Sequence, residues 1–238
     1  LLVSKETSIL EIKDVDAGYG HSQILFNLDI EFNKTGVTAI LGRNGAGKST
    51  LLKTIFGEII PITGQIIFDG KDATSESSDK RILRGMGYVP QDQAVFSKLT
   101  VQENLILGGA SFKKNNNLDM VLELFPKLSQ RLQQLAGTLS GGERKMLAIS
   151  RALIGEPKLL LLDEPTEGVW VGVIEEIAEI LKKLSKEVSI ILVEQHVELA
   201  LRVSKYAYVM DRGNIAIQGK SKVVKEDPNL LRYLAPWL

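Results

Sequence analysis

The feature that most constrains the fold is a glycine-rich loop between an apolar run and a helical pattern. Residues 42–50 read Gly-Arg-Asn-Gly-Ala-Gly-Lys-Ser-Thr, which contains the pattern G-x-x-x-x-G-K-[ST]. Val37–Leu41 before it predicts a buried strand, and Thr50–Phe56 after it has apolar residues at helical spacing. In such a strand–loop–helix unit, backbone N–H groups surround phosphate oxygens at the helix N-terminus. The predicted phosphate site consists of Gly42, Asn44, Gly45, Ala46, Gly47, Lys48, Ser49 and Thr50.

Two carboxylates follow an apolar run further along the chain. Leu159–Leu162 predicts a buried parallel strand, and Asp163, Glu164 and Pro165 come directly after it. Ligands of open α/β sheets bind at the carboxyl ends of the strands. Beside a phosphate loop, Asp163 and the Ser49 hydroxyl would hold Mg²⁺, Lys48 would contact the β and γ phosphates, and Glu164 would deprotonate the attacking water. The alternative is that both carboxylates only cap the next helix.

Composition excludes several other classes of protein. The 238 residues include 29 Lys and Arg against 29 Asp and Glu, and this zero net charge argues against a nucleic-acid partner. The sequence contains no cysteine, so thiolate metal sites are excluded, and no apolar run approaches the roughly 18 residues of a membrane span. The first eight residues lack the features of an export signal, and a first residue other than Met suggests that the natural start lies upstream.

The pattern of elements predicts an α/β core with an inserted helical segment. Strands are expected over Ile9–Val15, Ile24–Phe32, Gly64–Asp69, Gly87–Pro90, Lys158–Leu162 and Val188–Val193, with a hairpin over Tyr206–Met210 and Asn214–Ile217. Core helices are expected over Gly141–Ile154 and Val171–Leu184. Residues 92–138 form the predicted insert, with helices over Val101–Leu107, Leu118–Phe125 and Pro126–Leu135 and an exposed tip at Asn115–Asn117. Residues 1–91 and 139–238 would then form the core of a single domain.

A second glycine segment precedes the helix that begins near residue 141. Ser140 would cap this helix, and Gly141 and Gly142 leave backbone N–H groups open to an anion. Ser140 and Glu143 also fit a capping box, which is compatible with phosphate binding. One γ phosphate does not need two complete cradles from one chain. The second cradle therefore predicts contact with nucleotide held by another subunit.

These motifs, in this order, resemble an ABC (ATP-binding cassette) transporter ATPase over nearly the whole chain. The resemblance rests on the glycine loop, Gln91 after Val89-Pro90, the segment Leu139–Glu143, and Leu-Leu-Leu-Leu-Asp-Glu-Pro. It implies a P-loop NTPase core with a mixed parallel sheet, an N-terminal antiparallel β subdomain and an inserted helical subdomain. It also implies a head-to-tail dimer that encloses two ATP molecules and drives separate membrane permease subunits.

The resemblance assigns further residues by position. Tyr19 matches the aromatic side chain that stacks on adenine, although a core tyrosine beside a turn is the alternative. Gln91 matches the glutamine that senses Mg²⁺ and the attacking water. Ser140, Gly141 and Gly142 match the segment that contacts the γ phosphate held by the partner chain.

Two segments depart from the family pattern. Gln195 occupies the position of the family's switch histidine and His196 follows it, so either side chain could contact the γ phosphate. Trp170 stands near the position of an aspartate at the dimer seam, where it would be an interface residue or surface packing.

The remaining similarities narrow the subfamily. Asp-Glu-Pro-Thr-Glu-Gly and Val-Glu-Gln resemble the ATP-binding subunits of importers for branched-chain amino acids, urea or short amides. Expected partners are a second identical or different ATPase subunit, permeases and, indirectly, a periplasmic or external solute-binding protein, at the cytoplasmic face of the membrane. A DNA-maintenance ATPase is the rival, opposed by the short insert without heptads and the zero net charge. A non-hydrolysing regulatory module is opposed by Lys48, Asp163 and Glu164.

Overall fold

The computed structural model describes residues 8–92, 94–110 and 117–234. The predictions for the start of the chain and for positions 115 and 116 of the exposed tip lie outside these ranges. The strands are β1 (Ser8–Tyr19), β2 (Ser22–Asn33), β3 (Gly36–Gly42), β4 (Thr63–Phe68), β5 (Lys71–Asp72), β6 (Met86–Val89), β7 (Leu159–Asp163), β8 (Ser189–Val193), β9 (Tyr206–Asp211) and β10 (Asn214–Lys220). The α-helices are α1 (Lys48–Phe56), α2 (Ser78–Leu83), α3 (Val101–Gly109), α4 (Leu118–Leu124), α5 (Pro126–Ser129), α6 (Gly141–Leu153), α7 (Val171–Leu184), α8 (Val197–Val203), α9 (Ser221–Lys225) and α10 (Leu230–Leu234).

The strands form two sheets. One is antiparallel and has the order β2-β1-β4-β5, as the alternating patterns near the N-terminus predict. The other has the order β10-β9-β3-β8-β7-β6, in which every neighbouring pair except β9 and β10 is parallel. The predicted α/β class with a mixed sheet and an antiparallel N-terminal sheet is therefore confirmed. Among the described helices, none combines the length and apolar character that crossing a bilayer requires.

The central strands β3, β7 and β8 of the larger sheet are buried on both faces, which explains their largely apolar sequences. In β7, Leu159 and Leu161 belong to the core that includes α1 and the antiparallel sheet. Leu160 and Leu162, which point the opposite way, belong to the core that includes α6 and α7. Since successive side chains of a strand alternate between faces, a strand covered on both sides has no solvent-facing positions that would favour polar residues. This burial holds the carboxyl ends of the central strands in fixed register.

The predicted hairpin joins β9 to β10 and also supports the phosphate loop. Asp211 pairs with Asn214, and Arg212 and Gly213 between them both have positive φ, as a type I′ turn requires. A Cβ atom at Gly213 would lie 1.8 Å from the carbonyl oxygen of Ile24, so only glycine fits there. The Gly213 N–H donates to the carbonyl of Ala46 at 2.9 Å. The turn thus anchors the loop from the side of the antiparallel sheet.

The predicted helix Pro126–Leu135 is wrong in its extent. The α-helix ends at Ser129, and turns follow it. The second half of the segment is not helical because its backbone carbonyls accept hydrogen bonds from another element. The N–H groups of Val101 and Gln102 in the first turn of α3 donate to the carbonyls of Gln134 and Leu132 at 2.9 and 3.0 Å. The first N–H groups of a helix have no intrahelical acceptor, and here a distant segment satisfies two of them.

Candidate functional site

Four chain segments converge because four parallel strands end side by side. β3 ends at Gly42, β8 at Val193, β7 at Asp163 and β6 at Val89, and these strands are adjacent in the sheet in this order. The carboxyl edge of such a sheet is where ligands bind in open α/β folds. A cleft of about 410 Å³ opens at this edge. The cleft-lining residues that the sequence predicted are Asn44, Gly45, Gly47, Lys48, Ser49, Thr50, Gln91, Glu164 and Gln195.

The glycine loop presents the N-terminus of α1 to the cleft. Gly47 precedes α1 with φ 104°, and no side chain caps this helix end. A larger residue at Gly47 would bring its Cβ to 3.0 Å from the Leu25 side chain. The first N–H groups of a helix lack intrahelical acceptors, and the helix dipole adds partial positive charge there. This helix end is therefore suited to an anion, and Gly42 and Ala46 lie at buried positions of the loop.

Lys48 places a buried cation beside this helix end. Its Nζ atom donates to the carbonyls of Gly42 at 2.9 Å and Arg43 at 3.1 Å. The same atom lies 3.9 Å from Oε1 of Glu164. Burial lowers the pKa of the Lys48 ammonium, and the negative charges of Glu164 and Asp163 oppose this shift. A cation with so little water around it favours an anionic ligand in the cleft.

Ser49, which lines the cleft, and the buried Asp163 bring two side-chain oxygens together. The Ser49 hydroxyl donates to Oδ1 of Asp163 at 3.3 Å, although 114 positions separate the two residues. Asp163 is buried, and this burial raises the pKa of its carboxyl group, while the hydrogen bond from Ser49 opposes the shift. Hydroxyl and carboxylate oxygens are ligands that Mg²⁺ prefers, and a bound cation would compensate the buried charge. The two residues therefore fit a magnesium ion.

Glu164 is the centre of a hydrogen-bonded cluster. Its Oε2 atom accepts from the amide of Gln195 at 2.7 Å and from the amide of Gln91 at 3.1 Å. The residue is buried and has φ 49°, an uncommon backbone conformation for a residue other than glycine. Glu164 is not engaged as a helix cap, since α7 begins at Val171 after Trp170. The cluster joins three strand ends around one carboxylate.

The site includes three residues that the sequence patterns did not single out. Lys145 of α6 donates from Nζ to the carbonyls of Gln91 at 2.9 Å and Glu164 at 3.3 Å. Glu167 accepts from the Gln91 amide at 2.8 Å and lines the cleft, as does Ile24. Glu167 could have been found as the third carboxylate of the Asp-Glu-Pro-Thr-Glu segment. Nothing local to the sequence distinguishes Lys145 or Ile24 from other residues of their elements.

Three residues that the sequence singled out lie apart from this cluster. Tyr19 at the end of β1 is 50% exposed, so it is not a core tyrosine. His196 is exposed at the start of α8, and the cleft lining includes Gln195 but not His196. Trp170 is 76% exposed immediately before α7.

The segment with the second cradle does not line the cleft. The Ser140 hydroxyl accepts from the N–H of Glu143 at 3.3 Å, and the Glu143 carboxylate accepts from the N–H of Ser140 at 2.9 Å. This is the predicted capping box. Ser140 is exposed, Gly141 is half-buried and Gly142 is buried. The α6 N-terminus therefore forms a separate surface from the cleft of its own chain.

The phosphate loop, the paired carboxylates and the mixed sheet define an α/β nucleotide-hydrolysing domain. A family model described as ABC transporter matches residues 25–167. The chain therefore belongs to the ABC transporter family, and it is a nucleotide-binding ATPase of that family.

Relatives and solved structures agree with this assignment. The chain is 40% identical over 226 residues to the high-affinity branched-chain amino acid transport ATP-binding protein BraG of Pseudomonas aeruginosa, covering 93% of this chain and 97% of that protein. It is 39% identical to the probable branched-chain amino acid transport ATP-binding protein LivF of Archaeoglobus fulgidus, covering 92% and 94%. A nucleotide-free ATP-binding cassette from an ABC transporter superposes with a TM-score of 0.85 at 29% identity, covering 95% and 98%. The predicted role in transport, rather than in DNA maintenance, is confirmed.

Proposed function

We propose that this chain hydrolyses ATP to energise an importer of branched-chain amino acids. The observation that carries the proposal is the cluster in which Lys48, Gln91 and Gln195 surround the carboxylate of Glu164 beside the glycine loop. BraG and LivF, which the chain matches over more than nine tenths of its length, are named for branched-chain amino acid transport. Urea and short amides, which the sequence also suggested, have no such support.

Nucleotide binding is assigned to the loop and to Tyr19. The N–H groups at the α1 N-terminus and the Lys48 ammonium would bind the β and γ phosphates. The half-exposed ring of Tyr19 is available to stack on adenine. Asn44 and Gly45 line the same cleft and would add contacts from the loop backbone.

Hydrolysis is assigned to the Glu164 carboxylate. The oxygen of a water molecule would attack the γ phosphorus, the bond to the ADP oxygen would break, and Glu164 would accept the water proton. The amides of Gln91 and Gln195 donate hydrogen bonds to the Glu164 side chain, and in this proposal they would also orient the water. Of the two candidates for the switch, Gln195 is favoured because its amide contacts Glu164 directly.

Magnesium is assigned to Ser49 and Asp163, with Gln91 near the same edge of the sheet. The ion would neutralise charge that develops on the phosphate oxygens. The oxygen ligands of Ser49 and Asp163 support this choice, as does the raised pKa of the buried Asp163 carboxyl group.

Catalysis is proposed to require a second ATPase subunit. Ser140, Gly141 and Gly142 lie outside the cleft of their own chain, so they are free to face nucleotide bound by a partner. Membrane permeases would then couple dimer closure to transport at the cytoplasmic face, and an external solute-binding protein would act through them. The partner ATPase would be an identical or a different subunit.

Glu164→Gln tests the hydrolytic assignment. The variant should bind ATP as the wild-type chain does, lose nearly all turnover and accumulate as a closed dimer with ATP, seen by size-exclusion chromatography. Turnover at the wild-type rate would overturn the assignment of Glu164.

A pull-down and an uptake assay test the transport assignment. Permease subunits should copurify with the tagged chain from its native membrane. Uptake of labelled leucine by the host cell should stop when the chromosomal copy carries Glu164→Gln, and uptake of labelled urea should continue. Loss of urea uptake with intact leucine uptake would overturn the choice of solute.

A further inference from the structure

Glu194 is a buried carboxylate that the proposed chemistry does not use. It is 2% exposed, and its Oε1 atom accepts from the N–H of Thr166 at 3.0 Å and from the Thr166 hydroxyl at 2.7 Å. The backbone N–H of His196 also donates to the carboxylate, and burial raises the pKa of this group. Removing a carboxylate from water is costly unless hydrogen bonds satisfy it. Because a pair of apolar side chains in place of Glu194 and Thr166 would be less costly to bury, the carboxylate indicates a role beyond packing.

The position of Glu194 in the sheet indicates what this role is. Its N–H lies 3.5 Å from the carbonyl of Ile40 in β3, the strand that leads into the phosphate loop. The N–H of Glu164 donates to the carbonyl of Val193 at 3.0 Å. The backbone of Glu194 therefore stands between the strand that carries the glycine loop and the strand that delivers Glu164.

Thr166, which donates hydrogen bonds to Glu194, lies in the turn that holds Glu164. Thr166 follows Glu164 by two residues, and the N–H of Glu167 donates to the carbonyl of Glu164 at 3.2 Å. A positive φ at a residue with a side chain costs free energy and persists only where neighbouring contacts fix it. Both hydrogen-bonding groups of Thr166 that face Glu194 are engaged, so the turn is fixed at this point.

The segment that follows β8 also carries Gln195. Glu194 precedes Gln195 directly, and the Gln195 amide donates to Glu164 at 2.7 Å. The Thr166–Glu194 hydrogen bonds and the Gln195–Glu164 hydrogen bond therefore close a ring between the segments that follow β7 and β8. Rotation of one segment relative to the other would break both contacts.

We infer that Glu194 is a positioning residue for ATP hydrolysis, which ties Thr166 to the Gln195 segment so that Gln195 and Glu164 stay in register. This inference rests on the proposed function, because the alignment of Gln195 with Glu164 affects turnover only if Glu164 acts on the attacking water. It requires that loss of the tie lowers the rate of turnover more than it lowers ATP affinity.

The experiment compares variants at both ends of the tie in steady-state ATP hydrolysis. Glu194→Ala removes both hydrogen bonds of the tie, and Thr166→Val removes the one that the hydroxyl donates. Each variant should lower kcat, by about 10- to 100-fold for Glu194→Ala and by less for Thr166→Val, with little change in KM. Glu194→Gln keeps an oxygen that accepts from Thr166, and Thr166→Ser keeps the hydroxyl. Both conservative variants should therefore retain most of the turnover. If the Glu194→Ala chain does not fold, Thr166→Val still tests the inference.

Tyr208→Phe is the matched control for a general loss of buried hydrogen bonds. The Tyr208 hydroxyl is buried and donates to the carbonyl of Glu31 at 2.9 Å, so the substitution removes a buried hydrogen bond outside the tie. It should lower Tm without changing kcat. Wild-type kcat in both Glu194→Ala and Thr166→Val would overturn the inference. So would an equal loss of kcat in Tyr208→Phe, an equal loss of ATP affinity, or failure of both conservative variants to retain turnover.

Glu164→Gln, assayed in parallel, separates this inference from the proposed function. If Glu164→Gln is inactive while Glu194→Ala and Thr166→Val turn over normally, only the positioning role is wrong. If Glu164→Gln itself turns over at the wild-type rate, the proposed function is wrong, and the role of Glu194 is overturned with it.

Discussion

The side-chain amide of Gln195 donates a hydrogen bond of 2.7 Å to the Glu164 carboxylate. Gln195 cannot gain a proton as an imidazole does, so it orients by its dipole rather than by charge. We predict that Gln195→Ala lowers kcat for ATP hydrolysis by about 10- to 100-fold, because Glu164 loses a group that holds it. His196→Ala is the matched control and should leave kcat unchanged. The opposite result, a loss only in His196→Ala, would move the switch to His196.

Tyr19 is expected to act in binding rather than in chemistry. Tyr19→Ala should weaken ATP binding by about 1–3 kcal/mol, the range of base–aromatic stacking, as measured by calorimetry. Tyr19→Phe keeps the ring and should bind ATP normally. The Mg²⁺ concentration that gives half-maximal turnover should be the same in all three proteins, because stacking is remote from the metal ligands. Equal ATP affinity of Tyr19→Ala and the wild-type chain would contradict the stacking role.

Lys145 should support the catalytic arrangement through the backbone. Its ammonium holds the carbonyls of Gln91 and Glu164, so Lys145→Met should let these two segments separate. We expect kcat to fall about 10-fold while ATP affinity is retained. Lys182→Met is a suitable control, since the Lys182 side chain pairs with the exposed Glu179 on α7. A fall in ATP affinity without a change in kcat would show that Lys145 serves binding instead.

We expect the buried carboxylate of Asp163 to lower the free energy of unfolding when no cation is bound. Its folded-state pKa is raised above the ordinary 3.8 by burial, so the ionised form is disfavoured in the folded chain. The stability that this group contributes is therefore present below pH 3.8 and lost as the pH rises through the folded-state pKa. Asp163→Asn should raise Tm at pH 7 by about 2–4 °C, which corresponds to ~1 kcal/mol, in buffer without Mg²⁺ or nucleotide. The same variant should lose most of its Mg²⁺-dependent turnover.

Asp69→Asn provides the control of opposite sign. A hydrogen bond from Lys158 lowers the pKa of Asp69, so its charge does not oppose folding. This variant should therefore show an equal or lower Tm. An unchanged or lower Tm for Asp163→Asn in the same buffer would contradict the burial argument.

Arg81 should be among the residues on which stability depends most. It is 0% exposed and donates to the carbonyls of Thr54 and Ile55 at the end of α1 and to those of Ala73, Thr74 and Glu76. Arg81→Met would leave these buried acceptors without a donor, and it should lower the free energy of unfolding by about 2–4 kcal/mol after relief of the desolvated charge. Arg202→Met, at an exposed pair with Glu175, should change it by less than about 0.5 kcal/mol. Urea denaturation measures both values, and similar midpoints would contradict the prediction.

Local patterns were sufficient for the elements whose signals lie within a few residues. The strand–glycine loop–helix unit, the continuous leucines of β7, the capping box at Ser140 and the hairpin that joins Tyr206–Met210 to Asn214–Ile217 were each predicted and are each present. Their backbone conformations depend on local sterics, on neighbouring hydrogen bonds and on which faces are apolar. The boundaries of the helical insert at residues 92–138 stay a prediction. The helix over Pro126–Leu135 failed because the N-terminus of α3, a segment distant in sequence, takes its carbonyls.

The sequence by itself determined that the chain has a phosphate loop, two carboxylates after a buried strand and a second glycine cradle. Only the tertiary structure decided which side chains meet at Glu164: Gln195 rather than His196, with Lys145 and Glu167 nearby. The physical reason is the register of the parallel sheet, which places the ends of β3, β8, β7 and β6 side by side. Ser49 and Asp163, 114 positions apart, share a hydrogen bond because of that register, and no local pattern encodes such a distance.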